Sequence, residues 1–300
     1  MKKTLVAFAA LAVVGAASAQ STATISGTIA AAYLKDLDGS KGLVLDSNSV
    51  KVSLSEDLGG GLKLSAATQF AGNGSRGGNV TKEDSSIALA GGFGSLAYAN
   101  TRSGSWAVAY GAVGDTWNWN GAYDTDVFQR SAVDALTYTS PSMGGVNVIA
   151  QYVESSKDGS GTPASKTAAL GIKYAAGPLA VGARVVNTKN DAFVSGITKN
   201  SFELGANYDL GVAKIGLGFD SKRRGKVDSD KAAVVVGVAV PMGPVSLGLN
   251  YGKRDKATFA DLGLNYSLSK RSSVYVDYGK IKAQAGTSAS QYNIVLVHNF

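Results

Sequence analysis

The chain has one histidine, His298, and no cysteine, so few residues are available for general-base, thiolate or Cys-ligated metal chemistry. A Ser-His-Asp arrangement needs an imidazole held in an interior, and His298 stands two residues from the C-terminus. No motif surrounds any Ser–Lys pair, and the glycine-rich stretches contain no GxxxxGK[ST] phosphate loop. The carboxylate pairs Asp36/Asp38 and Asp228/Asp230 could meet a calcium ion, but they read more simply as solvated acids in polar loops. What remains is fixed charge. Lys51, Lys63, Lys173, Arg184 and Lys214 sit at positions opposite in parity to apolar neighbours, as do Glu203, Asp261 and Asp277. Arg102 and Arg130 flank a long connection. Rows of opposite charge facing one another across an aqueous bore would sort solutes by sign. The basic excess among these inward positions predicts a weak anion preference.

The elements that carry these residues are short alternating segments. Outward sets such as Val50/Val52/Leu54, Val146/Val148/Ala150/Tyr152 and Val245/Leu247/Leu249/Tyr251 are interleaved with Lys51, Ser53, Asn147, Gln151, Ser246 and Asn250. Alternation over about ten residues, apolar outward and polar inward, is the pattern of a transmembrane strand. The chain reads as sixteen of them. Seven close on an aromatic before a longer polar loop (Tyr33, Phe70, Tyr98, Tyr152, Phe219, Tyr251, Tyr278). Five close on one before a tight turn or at the chain end (Tyr138, Tyr174, Tyr208, Tyr266, Phe300). Two aromatic girdles flanking an apolar band suit a closed tube in lipid. The predicted fold is therefore all-β, a sixteen-stranded antiparallel transmembrane barrel with short turns at one rim and longer loops at the other. The loops are expected near residues 36–48, 71–84, 102–131, 153–166, 187–200, 220–231, 252–257 and 279–290. One segment, Ala232 to Val240, is apolar on both faces, and either lines the bore with small residues or lies under a loop.

The N-terminus belongs to export rather than to the fold. Lys2 and Lys3, the apolar run Leu5 to Ala17 and the sequence Ala17-Ser18-Ala19 read as a signal peptide, residues 1–19, cleaved after Ala19. Residues 20–300 then form a single barrel domain. The formal net charge of the full chain is +7, but no Lys/Arg stripe with interleaved aromatics points to nucleic acid. The longest connection, residues 102–131, carries Trp106, Trp117, Trp119, Tyr123 and Phe128 with Asp115, Asp124 and Asp126. Disordered segments are poor in aromatics, so this loop is expected to pack.

Three stretches resemble the general porins of Gram-negative bacteria, particularly the trimeric type of β-proteobacteria and Neisseria. Ser55-Glu56-Asp57-Leu58-Gly59-Gly60-Gly61-Leu62 is similar to that family's first periplasmic turn. Leu136 to Gly145 is similar to the strand and turn after its constriction loop. The final strand, with Tyr292, Ile294, Leu296, His298 and Phe300 at alternate positions, resembles the signal read by the barrel-assembly machinery. The resemblance implies a homotrimer in the lipopolysaccharide-bearing outer membrane and passive diffusion of small hydrophilic solutes and ions. It implies no cofactor. It also implies a third loop folded into the bore, with Trp117, Trp119, Tyr123 and Phe128 anchoring it and Asp115, Asp124 and Asp126 giving its negative face. The sequence departs from the family where Val50-Lys51-Val52-Ser53-Leu54 and Ala99-Asn100-Thr101 replace arginine-bearing stretches. Other readings are a monomeric substrate-specific channel, a plugged structural or adhesin barrel, and a soluble exported β-sandwich lectin.

Overall fold

The computed structural model describes residues 21–72, 79–117, 127–128, 130–155, 166–189, 200–222 and 231–300. Sixteen strands follow in chain order: β1 Thr22–Lys35, β2 Lys41–Gly59, β3 Leu62–Gly72, β4 Val80–Gly91, β5 Gly94–Ser103, β6 Ser131–Thr139, β7 Val146–Ser155 and β8 Lys166–Ala176, then β9 Leu179–Lys189, β10 Asn200–Asp209, β11 Lys214–Asp220, β12 Ala233–Met242, β13 Val245–Arg254, β14 Ala257–Ser267, β15 Ser272–Lys282 and β16 Ser288–Asn299. A short helix, α1 (Trp106–Gly111), lies between β5 and β6. Every strand pairs antiparallel with its sequence neighbours, and β1 pairs with β16 to close the barrel. The last rungs of that seam join Gly27 and Phe300, whose amides donate to each other's carbonyls at 3.0 and 3.1 Å. Closure leaves no open edge, the condition for crossing hydrocarbon with strands.

The period-two pattern decides which face each residue takes. On β13, Leu247, Leu249 and Tyr251 face outward while Gly248, Asn250, Gly252 and Arg254 are buried inside. Ile25, Leu170, Leu217, Leu262, Ile294 and Leu296 extend the outward apolar surface around the barrel. So continuous an apolar belt needs a lipid or protein partner. Most girdle aromatics stand outward and exposed, from 37% at Tyr138 to 51% at Tyr278, while Tyr174 and Phe219 are half-buried. At the loop rim the Tyr98 hydroxyl donates to Asp134 at 2.8 Å and the Tyr152 hydroxyl to Glu154 at 2.6 Å. These phenols bridge the apolar band and the polar row above it, as interfacial tyrosines do.

Strands run further toward the loop rim than the sequence reading allowed. β2 begins at Lys41, β11 reaches Asp220, β13 reaches Arg254 and β15 reaches Lys282. Above the tyrosines the outer face meets water and carries polar residues such as Lys253, Lys280 and Lys282, so the apolar-outward pattern fades there while the ladder continues. The β1–β2 register also shifts between Ala30, opposite Ser47, and Ala31, opposite Leu45. Asp46 is the extra residue of this bulge.

Buried hydrophobic residues gather between the long loop and the barrel wall. One cluster joins Ala107, Val127 and Phe128 to Ala233, Val235, Ala257, Phe259 and Ile281. Val235 resolves the doubly apolar segment. It is fully buried beneath the loop, while its neighbours Val234 and Val236 face outward at 44% and 42% exposure. A second cluster sets Trp117 and Tyr275 against Ala30, Ala32, Val295 and Val297.

Candidate functional site

The loop between β5 and β6 enters the barrel and lies along its inner wall. Ser105 caps α1, its hydroxyl accepting from the Ala107 amide at 3.2 Å. Glu203 on β10 receives the same terminus. Its Oε2 accepts from the Trp106 amide at 2.7 Å and from the Ser105 hydroxyl at 3.1 Å. A carboxylate there meets the free amides and positive end of the first turn. Arg184 on β9, directly opposite Glu203 in the ladder, completes the anchor. Its guanidinium reaches Glu203 at 2.8 Å and donates to the Gly104 carbonyl at 2.9 Å. The Trp106 ring lies beneath two cations, Arg184 at 5.0 Å and Lys173 at 4.9 Å from its centroid.

The returning end of the loop has its own buried ion pair. Arg254 on β13 meets Asp220 on β11 at 2.8 Å and donates through Nε to the Val127 carbonyl at 2.7 Å. Neither residue was singled out from sequence, because both fall where the loops 220–231 and 252–257 were expected. Inward parity with Gly216/Gly218 and Gly252 was the available signal.

Glycines make the seat. Gly205, Gly216, Gly218, Gly237, Gly248 and Gly263 occupy inward positions on β10 to β14, against the backbone of residues 106–115. A methyl group added at Gly218 would lie 2.0 Å from the Ala107 carbonyl oxygen, and one at Gly248 would lie 2.3 Å from the Asp115 amide. Only a strand without side chains lets the loop approach this closely.

Beyond α1 the loop rests on polar side chains. Asn250 accepts from the Gly114 amide at 2.7 Å, Thr116 donates to Asp261 at 2.8 Å, and the Trp117 amide donates to Asp277 at 3.2 Å. The Trp117 indole then reaches across to β2 and donates to Asp46 at 2.6 Å. The bulge aims this carboxylate inward. Sequence reasoning placed Asp46 in a loop and missed it.

Several expectations are corrected by this packing. Arg184, Glu203, Asp261 and Asp277 do point into the barrel, but they are only 9%, 1%, 2% and 4% exposed. The loop lies over them, so they hold it in place and do not face the water path. Asp115 turns to the wall, accepting from Asn265 at 3.0 Å, and does not present a negative face. Phe128 is buried against the wall, as an anchor would be. Trp119, Tyr123, Asp124 and Asp126 lie outside the described residues.

Beside the loop lies a cavity of about 800 Å³, and its lining includes Asp46, Gln69, Glu83, Arg102, Trp117 and Arg130. Lys51, Lys63 and Lys214 are exposed, and Lys173 is half-buried against Trp106. Lys63 and Lys214 stand opposite Asp57 and Asp209 near the turn rim. On β16, Tyr292, Ile294, Leu296 and His298 face outward, with the His298 Nδ1 2.9 Å from the Ser272 hydroxyl, and Phe300 just beyond the strand is exposed as well. Phe300 lays its ring over Gly27.

A closed sixteen-strand tube, apolar outside and occupied inside by one of its own loops, defines an outer-membrane channel protein. The chain belongs to the Gram-negative porin family, whose sequence profile matches residues 5–286. It is 30% identical over 315 aligned residues to outer membrane porin protein 32 of Delftia acidovorans, covering 94% of this chain and 90% of that one. Among solved structures, it is similar to an anion-selective porin from Comamonas acidovorans, with a TM-score of 0.71 and 23% identity over 94% of this chain and all of that one. It is also similar to the trimer form of OmpT, an outer membrane protein of Vibrio cholerae. There the TM-score is 0.68 and the identity 16%, covering 93% of this chain and 99% of that one. Membership of this family places the protein in the bacterial outer membrane.

Proposed function

We propose that the chain, exported and cleaved after Ala19, forms a water-filled pore for passive diffusion of small hydrophilic solutes and ions, with a weak preference for anions. Residues 104–117 and 127–128 act as a constriction, because a loop packed on the inner wall narrows a bore that sixteen strands alone would leave wide. The burial of carboxylates beneath that loop is the observation that carries the sign of selectivity. Glu203, Asp261 and Asp277 are buried, while Lys51, Lys63 and Lys214 stay exposed at inward positions and Lys173 is half-buried. Nothing in this mechanism turns over a bond. Homotrimeric assembly, in keeping with the trimeric form of the Vibrio OmpT relative, and a lipopolysaccharide setting complete the proposal. The outward residues of β16 serve as the signal for barrel assembly.

Planar-bilayer recording of the folded protein tests this reading. Removing residues 112–124 raises single-channel conductance, and a KCl gradient gives a reversal potential of anionic sign. A plugged adhesin or structural barrel gives no conductance at all. A clear cation preference overturns the assignment of sign.

A further inference from the structure

On the outside of the barrel, over β6 to β10, the apolar belt is hollowed. One rung of the ladder there sets Tyr138, Ala150, Leu170, Val185 and Phe202 side by side. The next rung toward the loops sets Tyr152, Ala168, Asn187 and Asn200 side by side. Ala150 and Ala168 are outward and small, and the rings of Tyr138 and Tyr152 and the side chain of Leu170 stand up around them. The result is a trough of about 830 Å³, within the size range of ligand pockets. Crossing a bilayer requires an apolar outer face, but not a hollow one.

The loop-side end of the trough is polar and basic. Lys222 lines it, and on its lip the Asn187 side-chain amide donates to that of Asn200. One rung further out, Lys166 and Lys189 stand directly opposite each other at exposed outward positions. Like charges facing one another across a ladder repel. Glu154 meets Lys166 at 3.8 Å, between two exposed side chains, and the same oxygen already accepts from the Tyr152 hydroxyl at 2.6 Å. So long and exposed a pair contributes little.

Cations gathered at one end of an apolar trough complement an amphiphile with an anionic head. From this geometry we infer that the hollow binds one phosphorylated lipid, with its phosphates at Lys166, Lys189 and Lys222 and its acyl chains along Ala150 and Ala168. In bacterial barrels the longer loops are extracellular, so the lysines stand at the outer leaflet. The lipid is therefore the lipid A of lipopolysaccharide, whose phosphates and several chains match both ends of the site. The inference rests on the outer-membrane orientation in the proposed function and not on conduction, because every residue in it faces away from the bore.

Native mass spectrometry of the folded, delipidated protein titrated in detergent with bisphosphorylated lipid A tests this. One lipid A is expected per chain, held more tightly than phosphatidylglycerol and undisturbed by inorganic phosphate. Lys166→Gln with Lys189→Gln should weaken it roughly 25-fold, at about fivefold for each lysine beside an anionic lipid surface. Ala150→Phe, an apolar change on a lipid-facing position, should fill the trough and release the lipid. Both variants should keep wild-type conductance, so loss of lipid from a conducting barrel is distinguished from failure of the pore reading. No lipid A on the folded wild type, or undiminished binding in the double lysine variant, overturns the site. Equal retention of phosphatidylglycerol assigns the hollow to bulk lipid and also overturns it. So does a lipid-free oligomer that Ala150→Phe breaks into monomers, since the face is then a subunit contact. Should Ala150→Phe fail to fold, the exposed lysines still decide the matter.

Discussion

At the scale of single residues, the ion pair under the loop root shows how far a side chain's role departs from its type. Arg184 and Glu203 were legible as inward residues, since parity along β9 and β10 requires it. Their function was not legible, because the path of a loop leaves no periodic trace in sequence. Removing one member strands the other in a buried site. Glu203→Ala is expected to cost about 3–5 kcal/mol, read as a lower unfolding temperature, and to raise conductance as α1 loses its anchor. Replacing both, by Arg184→Met with Glu203→Leu, should restore most of the stability, since buried pairs contribute little over well-packed apolar substitutes. The conductance should stay raised, because no carboxylate then receives the Trp106 amide. A double variant with wild-type conductance would show that the glycine seat alone fixes the loop.

At the scale of elements, alternation gave each strand its faces and the aromatic closures gave its ends at the turn rim. The loop-side ends were read short, at β2, β11, β13 and β15, because the apolar-outward pattern stops before the ladder does. The glycine seat was overlooked for a different reason. Glycine within a strand reads as weak propensity until something is seen to fill the space above it. Gly218→Val should shift α1 off the wall, lowering stability by about 1–3 kcal/mol as overpacking does, and should widen the conductance distribution in single-channel records. Gly42→Val is the matched control, since a Cβ at Gly42 meets nothing within 4 Å. Equal effects from the two would mean that strand propensity, and not the seat, is responsible.

At the scale of the whole molecule, selectivity follows from which charges the loop covers. Lys51 on β2 and Lys173 on β8 stand six strands apart in the barrel order. Lys51→Gln with Lys173→Gln should move the reversal potential toward zero, and more than Lys63→Gln, whose lysine stands opposite Asp57. If the double variant leaves the potential unmoved, Arg102 and Arg130 set the sign. The closing seam carries another expectation. Without Phe300 the rungs to Gly27 are lost, and folded barrel should form more slowly, seen as a persistent unfolded band on unheated gels. That seam also imposes an order of events. The first strand to leave the ribosome finds its second neighbour only in the last, so an incomplete copy keeps one flank of β1 open. Every chain released before β16 would carry a sticky margin.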